Sequence, residues 1–219
     1  MAGGLAVALA ALARPHATLS SGDHPLVLWP SRDVSVAVDD LSASVPRVAS
    51  VDAETAPQLW VSNDDEDPRD SIALLEFTLP PLPEDHVVGL AELRLYAEDI
   101  TLPRNQPSRT LWVMGNGSSW DPTTMSGEPV SPACCASARW REDLREPGWA
   151  SWDVTALVVA WYEGTTNHGL RVTPSQHLTG DHYYFSFASA EGEHRPELVL
   201  TLKPRVRRLW LPALPAGGA

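Results

Sequence analysis

Two strict alternations of apolar and polar residues limit what this chain can fold into. In Leu75-Glu76-Phe77-Thr78-Leu79 the three apolar residues share one face of an extended strand, while Glu76 and Thr78 take the other. Ala91-Glu92-Leu93-Arg94-Leu95-Tyr96 repeats the pattern, with Leu93 and Leu95 inward and Glu92 and Arg94 outward. A slip of one residue would turn either row into water, so both strands have a fixed register against a core. Pro80-Pro81-Leu82-Pro83 then ends the first strand, because proline cannot donate to a ladder.

Further short strands read from the same period. They are Leu26-Val27-Leu28-Trp29, Asp33 to Val38, Gln58 to Ser62, Thr110 to Met114, Trp149 to Val154, Gly169 to Thr173, Tyr183 to Ala188 and Glu197 to Leu202. In the aromatic strand Tyr183, Phe185 and Phe187 face the core, and Tyr184 and Ser186 face away. One helix is expected near 155–163. Asp153 or Thr155 can accept its first free N–H groups, Leu157, Val158 and Trp161 line one face, and Gly164 suits its end. Between Ser118 and Pro147 the periodicity fades into a long excursion rich in Pro, Ser and Gly. Twenty prolines and fourteen glycines, spread along the chain, fit many strands joined by turns. The expected fold is all-β: an antiparallel two-sheet β-sandwich of about nine or ten strands, jelly-roll-like, with one short crossover helix.

The domain occupies residues 25–203. Residues 1–20 resemble a secretory signal, since Leu5 to Ala13 form an apolar run with small residues at its end, although no Lys or Arg precedes it. Residues 204–219 form a basic, then apolar, proline-rich tail suited to docking or to disorder. No stretch reaches the ~18 apolar residues of a membrane span. Four of the sixteen basic residues (Arg14, Arg205, Arg207, Arg208) lie outside 15–204. Twelve therefore stand against twenty-eight acidic residues in that segment, a net charge of −16. Such a surface repels nucleic acid and anionic membrane. Secretion or display at the cell surface is the expected location. Cys134 and Cys135 are adjacent, so they are expected to form a vicinal disulfide, stay reduced, or bridge to another chain.

Catalytic signatures are missing: there is no Gly-x-Ser-x-Gly, no His-Glu-x-x-His and no phosphate loop. The histidines stand singly, with His86, His168, His177, His182 and His194 at expected loop positions. Carboxylates suit calcium better than catalysis. Asp64, Asp65 and Asp67 after a strand, or Asp33 with Asp39 and Asp40, are candidate oxygen ligands for a structural ion, although a solvated acidic turn is the simpler reading. A sugar site needs exposed aromatic platforms with polar neighbours. Trp120 and Trp140 of the excursion, and outward-facing Tyr184, are the candidates; for any one Trp, packing over the end of the sandwich is the competing role.

Five stretches resemble those of DNRLRE-type domains, a group that includes alginate- and other polysaccharide-binding modules of bacterial surface and secreted proteins. They are Pro30 to Val36; Ala73 to Leu79 with Leu82-Pro83; Ala91 to Tyr96; Trp152 to Thr155 with Leu157, Val158 and Trp161; and Ala188 to Gly192 followed by Arg195 to Val199. The resemblance implies a jelly-roll-like sandwich without catalytic activity that binds a polysaccharide or cell-wall glycan, or mediates surface adhesion. The acidic Asn63 to Asp67 segment and the enlarged excursion depart from the usual pattern. The rival expectation is a structural subunit of an envelope or fibre, joined by self-association or to an envelope protein. A hydrolase with a concealed carboxylate pair is a third.

Overall fold

The computed structural model describes residues 25–41, 43–64, 70–103, 110–140, 146–174 and 182–205, without the side chains of Asp64 and residues 135–140. The signal-like segment, nearly all of the tail, Asp65, Asp67 and His177 lie outside that description.

The described residues form twelve strands and one helix. The strands are β1 (Leu26–Leu28), β2 (Arg32–Val38), β3 (Val48–Val51), β4 (Gln58–Asp64), β5 (Asp70–Glu76), β6 (His86–Thr101), β7 (Leu111–Asn116), β8 (Ala133–Trp140), β9 (Gly148–Asp153), β10 (Leu170–Pro174), β11 (His182–Ala188) and β12 (Glu197–Pro204), and α1 spans Thr155–Tyr162. Every strand pair is antiparallel, and hydrogen bonds link them in the order β1-β12-β6-β11-β4-β5-β10-β7-β8. β2 joins β5 and carries β3, while β9 takes the second edge of β6. This is the all-β sandwich expected from the alternations.

Inward rows of β5, β7 and β10 meet those of β4, β6, β9, β11 and β12 in one core. It holds Leu75, Leu111, Val113, Leu170 and Val172 with Leu59, Leu93, Leu95, Trp152, Phe185, Phe187 and Leu198. Tyr183, Phe185 and Phe187 share the buried face, as their period requires. The Phe185 and Phe187 rings stack at 6.0 Å, and Trp152 meets Phe187 edge-on at 6.2 Å. β5 is buried on both sides. Ala73 and Leu75 enter the main core, whereas Ile72 and Leu74 join Val34, Val36, Val38, Val48 and Trp120 in a second cluster beneath the 117–132 segment.

Helix α1 seals one end of the main core with Leu157, Val158 and Trp161. Its start differs from expectation in one respect. Asp153 Oδ1 accepts the Thr155 N–H at 2.9 Å, but the Thr155 hydroxyl accepts the Ala91 N–H of β6 at 2.9 Å instead of a helix donor. Its end is as expected, with Gly164 at φ +110°.

Three further expectations are corrected. His86 and His182 begin strands instead of lying in loops. β6 is 16 residues long, far beyond the six that alternate, because bulges at Ser186/Phe187 and Thr201/Leu202 let its ladder continue with two successive partners. The Ser118–Pro147 excursion contains β8, an edge strand hydrogen-bonded to β7.

The main-chain turn into β10 depends on Gly169, at φ +83°, where a Cβ would press into the Leu75 carbonyl oxygen. We predict that Gly169→Ala costs at least about 2 kcal/mol in chemical denaturation. Gly164→Ala, with nothing within 4 Å of the new methyl, costs only about 1 kcal/mol.

Asp33, 4% exposed on β2, has its carboxyl pushed up to about 6 from 3.8 by burial, with Glu191 and Glu54 adding to the rise and the Ala190 N–H opposing it. The folded state therefore holds this proton between about pH 4 and pH 6, where the unfolded chain has released it. Its stability contribution is complete below about pH 4 and lost as pH rises through 6. Asp33→Asn, whose amide oxygen still accepts from Ala190, is expected to raise the unfolding free energy at pH 8 by on the order of 2 kcal/mol, measured by urea denaturation, and the gap closes by pH 4.

Candidate functional site

Alternation along β9 sends Ala150 and Trp152 into the core and leaves Trp149, Ser151 and Asp153 outside. Trp149 is 47% exposed, against 1% for Trp152 three residues later. Across the β6–β9 pair, Trp149 lies opposite Tyr96, Ser151 opposite Arg94 and Asp153 opposite Glu92. Across β6–β12, Glu197 lies opposite Arg94. The outer face of β9-β6-β12 is therefore a ruled surface of alternate residues from three adjacent strands.

Its aromatic end is built. The Trp149 and Tyr96 rings meet edge-on at 5.5 Å, and His194, in the loop before β12, lies 4.0 Å from Tyr96 and 6.0 Å from Trp149 between ring centres. These contacts hold the indole and leave half its surface in water. The polar end is partly fixed. Glu92 accepts from Arg94 Nη2 at 2.7 Å and from the Ser151 hydroxyl at 3.2 Å. The Glu197 carboxylate is bound by no side chain among the described residues. Glu92, Arg94, Trp149, Ser151 and Glu197 line a shallow groove of about 540 Å³. An exposed indole beside fixed donors and acceptors matches what a sugar ring presents, an apolar C–H face with hydroxyls around its edge.

Tyr184 lies on the outward face of β11, which pairs with the far end of β6. Its hydroxyl donates to Asp99 Oδ2 at 3.1 Å, and its ring meets half-buried Trp60 edge-on at 5.6 Å. It is thus a second aromatic feature, on the outward side of the same long strand.

Trp120 is placed otherwise than a sugar platform needs. The ring is 7% exposed within the second cluster, the Arg32 guanidinium lies 4.6 Å from its centre, and its indole N–H donates to the His168 carbonyl at 3.2 Å. Arg32 is itself held by Glu76. The cleft at this point, about 360 Å³, has walls from Val36, Ile72, Leu74, Trp120 and Met125. Packing of the excursion onto β2 and β5 consumes the ring that exposure would have offered. Trp140 lies in β8, with its side chain outside the described residues.

The candidate ion ligands do not converge where they can be followed. Asp33 is buried near the start of β2 and accepts the Ala190 N–H at 2.8 Å, while Asp39 and Asp40 follow that strand's far end. Asp64 ends β4, opposite His182 in register, and Asp65 and Asp67 lie outside the described residues. Among the described residues no group of three or more His, Cys, Asp or Glu side chains is arranged to hold a metal. Cys134 Sγ lies 3.2 Å from the Asn116 carbonyl oxygen, beside the bulge in the β7–β8 pair. The Cys135 side chain, and with it any bond between the two, lies outside the described residues. No helix among the described residues is long and apolar enough to cross a membrane.

Sequence reasoning passed over Trp149, Arg94 and Glu197 as binding residues. The signal was present in parity: Trp149 and Trp152 are an odd number of residues apart in one strand, so they cannot both be core.

Residues 53–202 match the model of carbohydrate-binding module family 96, a span that includes every residue of the Trp149 face. No curated protein matches the chain.

The two indoles have opposite stability consequences. Trp120→Ala, which empties a buried site, is predicted to cost about 3–5 kcal/mol in urea denaturation. Trp149→Ala is predicted to stay within about 1 kcal/mol of the parent.

Proposed function

Since the chain belongs to carbohydrate-binding module family 96, we propose that it binds a polysaccharide or cell-wall glycan through the outer face of β9-β6-β12, without catalysing its cleavage. The observation that carries this reading is the half-exposed Trp149 held edge-on by Tyr96 and His194 beside a polar groove. The indole stacks on a sugar ring, while Glu92, Arg94, Ser151 and Glu197 meet its hydroxyls. Charged acceptors and donors form the stronger class of hydrogen bond to a neutral hydroxyl. Tyr184 and Trp60 extend the aromatic surface along β6 toward a further sugar unit.

We extend the reading to the DNRLRE type on the five sequence stretches that carry that likeness. We place its action outside the cell or at its surface, where the signal-like segment at 1–20 and the acidity of the chain suit it.

Affinity electrophoresis against a panel of soluble polysaccharides tests the proposal. At least one glycan retards the parent chain, and Trp149→Ala weakens that retardation about ten-fold, the equivalent of ~1.4 kcal/mol of lost stacking. If no glycan retards the chain, while sedimentation shows it associating with itself, the structural-subunit reading takes its place.

A further inference from the structure

Resting on the carbohydrate reading above, we infer that Trp29 is a second sugar platform of the same face. The site then takes an extended run of sugar units laid across the strands, in place of a single sugar on Trp149.

The register of β1 is the ground for it. Leu26 and Leu28 pack on the main core and Val27, between them, does not. Proline restricts the residue before it to extended backbone, so Trp29, ahead of Pro30, continues this alternation although the ladder stops at Leu28. Its side chain is therefore on the outward side, and at 59% it is the most exposed large apolar side chain among the described residues. The backbone on both sides of it is fixed. Leu28 pairs with Leu198, Pro30 is buried, and the Ser31 N–H donates to the Glu76 carbonyl at 2.7 Å.

Since Leu28 pairs with Leu198, Trp29 stands level with Glu197, which lies opposite Arg94, which in turn lies opposite Ser151. One row thus crosses four strands, from Ser151 through Arg94 and Glu197 to Trp29. Trp149 belongs to the next row, opposite Tyr96. The groove lined by Glu92, Arg94, Ser151 and Glu197 therefore has an exposed indole on each flank. Along β6, Trp29 and Tyr184 lie to either side of Trp149, because Tyr184 is level with Thr101.

The separation of the two indoles sets the size of the ligand. β1 and β9 are three strand steps apart with an offset of two residues, which places the two Cα atoms roughly 16 Å apart. A pyranose unit is about as long as one strand step, so a chain that stacks on both rings has about three or four units. A disaccharide reaches only one of them. Trp149 is held by Tyr96 and His194, whereas no hydrogen bond or ring contact holds the Trp29 side chain among the described residues. Trp29 is accordingly the weaker platform, because its indole must be ordered when the glycan binds.

The test begins with affinity electrophoresis of the parent chain in barley β-glucan, galactomannan, alginate and polygalacturonate. The disaccharide, tetrasaccharide and hexasaccharide of whichever polymer retards it are then titrated by calorimetry. The parent is expected to bind the tetrasaccharide at least about ten-fold more tightly than the disaccharide. Trp29→Ala, with its thermal midpoint and circular dichroism matching the parent, is expected to lose about five-fold on the tetrasaccharide and nothing on the disaccharide. Trp29→Tyr is expected to recover most of that loss, since it restores an aromatic face. Trp149→Ala weakens both ligands.

A folded Trp29→Ala chain that binds the tetrasaccharide as the parent does, while Trp149→Ala weakens it, overturns the inference and leaves the carbohydrate reading standing. So does an equal loss on disaccharide and tetrasaccharide, or a parent chain that binds the disaccharide as tightly as the hexasaccharide, a result that needs no variant. Failure of every polysaccharide to retard the parent overturns the carbohydrate reading and this inference with it.

Discussion

Strand β6 is the constraint on which the rest of the molecule depends. Its 16 residues hydrogen-bond to β9 along one edge and to β12 and then β11 along the other. Its inward residues Leu93, Leu95 and Ala97 are fully buried, and its outward residues Glu92, Arg94 and Tyr96 form the middle row of the candidate site. Core and site are thus two sides of one backbone, and the register that makes one makes the other. The bulges opposite its two partners allow a single strand to serve both without a break in the ladder. Even the helix is tied to it, since the Val154 N–H donates to the Ala91 carbonyl at 2.9 Å and the Ala91 N–H donates to Thr155 Oγ1.

What the sequence reveals of this fold follows how local each cause is. The alternation through Leu93 and Leu95, the aromatic row Tyr183, Phe185 and Phe187, and the helix with its buried Leu157, Val158 and Trp161 are all set within a few residues, and all are legible. β8 is not. Ala133-Cys134-Cys135-Ala136-Ser137 has no period of two, and its extended form comes from pairing with β7, seventeen or more residues away in the chain. The ends of β6 are missed for a related reason, because a bulge shifts the parity by one and the simple alternation stops there.

The candidate site divides in the same way. Parity within β9 tells that Trp149 and Trp152 face opposite sides, so the outward indole was readable from the chain. The fate of Trp120 was not, since it depends on a surface built from distant strands. One clue did lie in Ile72-Ala73-Leu74-Leu75, an unbroken apolar run that only a strand covered on both faces accommodates. Something had to cover Ile72 and Leu74, and the excursion, anchored by Trp120 and Arg32, does so. Tyr184 was read to the correct side, but its partners Asp99 and Trp60 come from other strands.

The two faces of the sandwich consequently differ in what an aromatic ring can do on them. Over β2 and β5, the indole of Trp120 closes an apolar surface, gives its N–H to the His168 carbonyl and lies against a guanidinium that Glu76 fixes. Each of those interactions makes it a wall. Over β6 and β9 no loop among the described residues covers the sheet in this way, and the Trp149 ring meets Tyr96 and His194 in T-shaped contacts. Half of that indole stays in water, where burying apolar area would be worth roughly 25 cal/mol per Å². The fold leaves this free energy unused, in a position flanked by the Glu197 carboxylate, which no side chain among the described residues binds. In the proposed binding mode a sugar ring stacked on Trp149 recovers it.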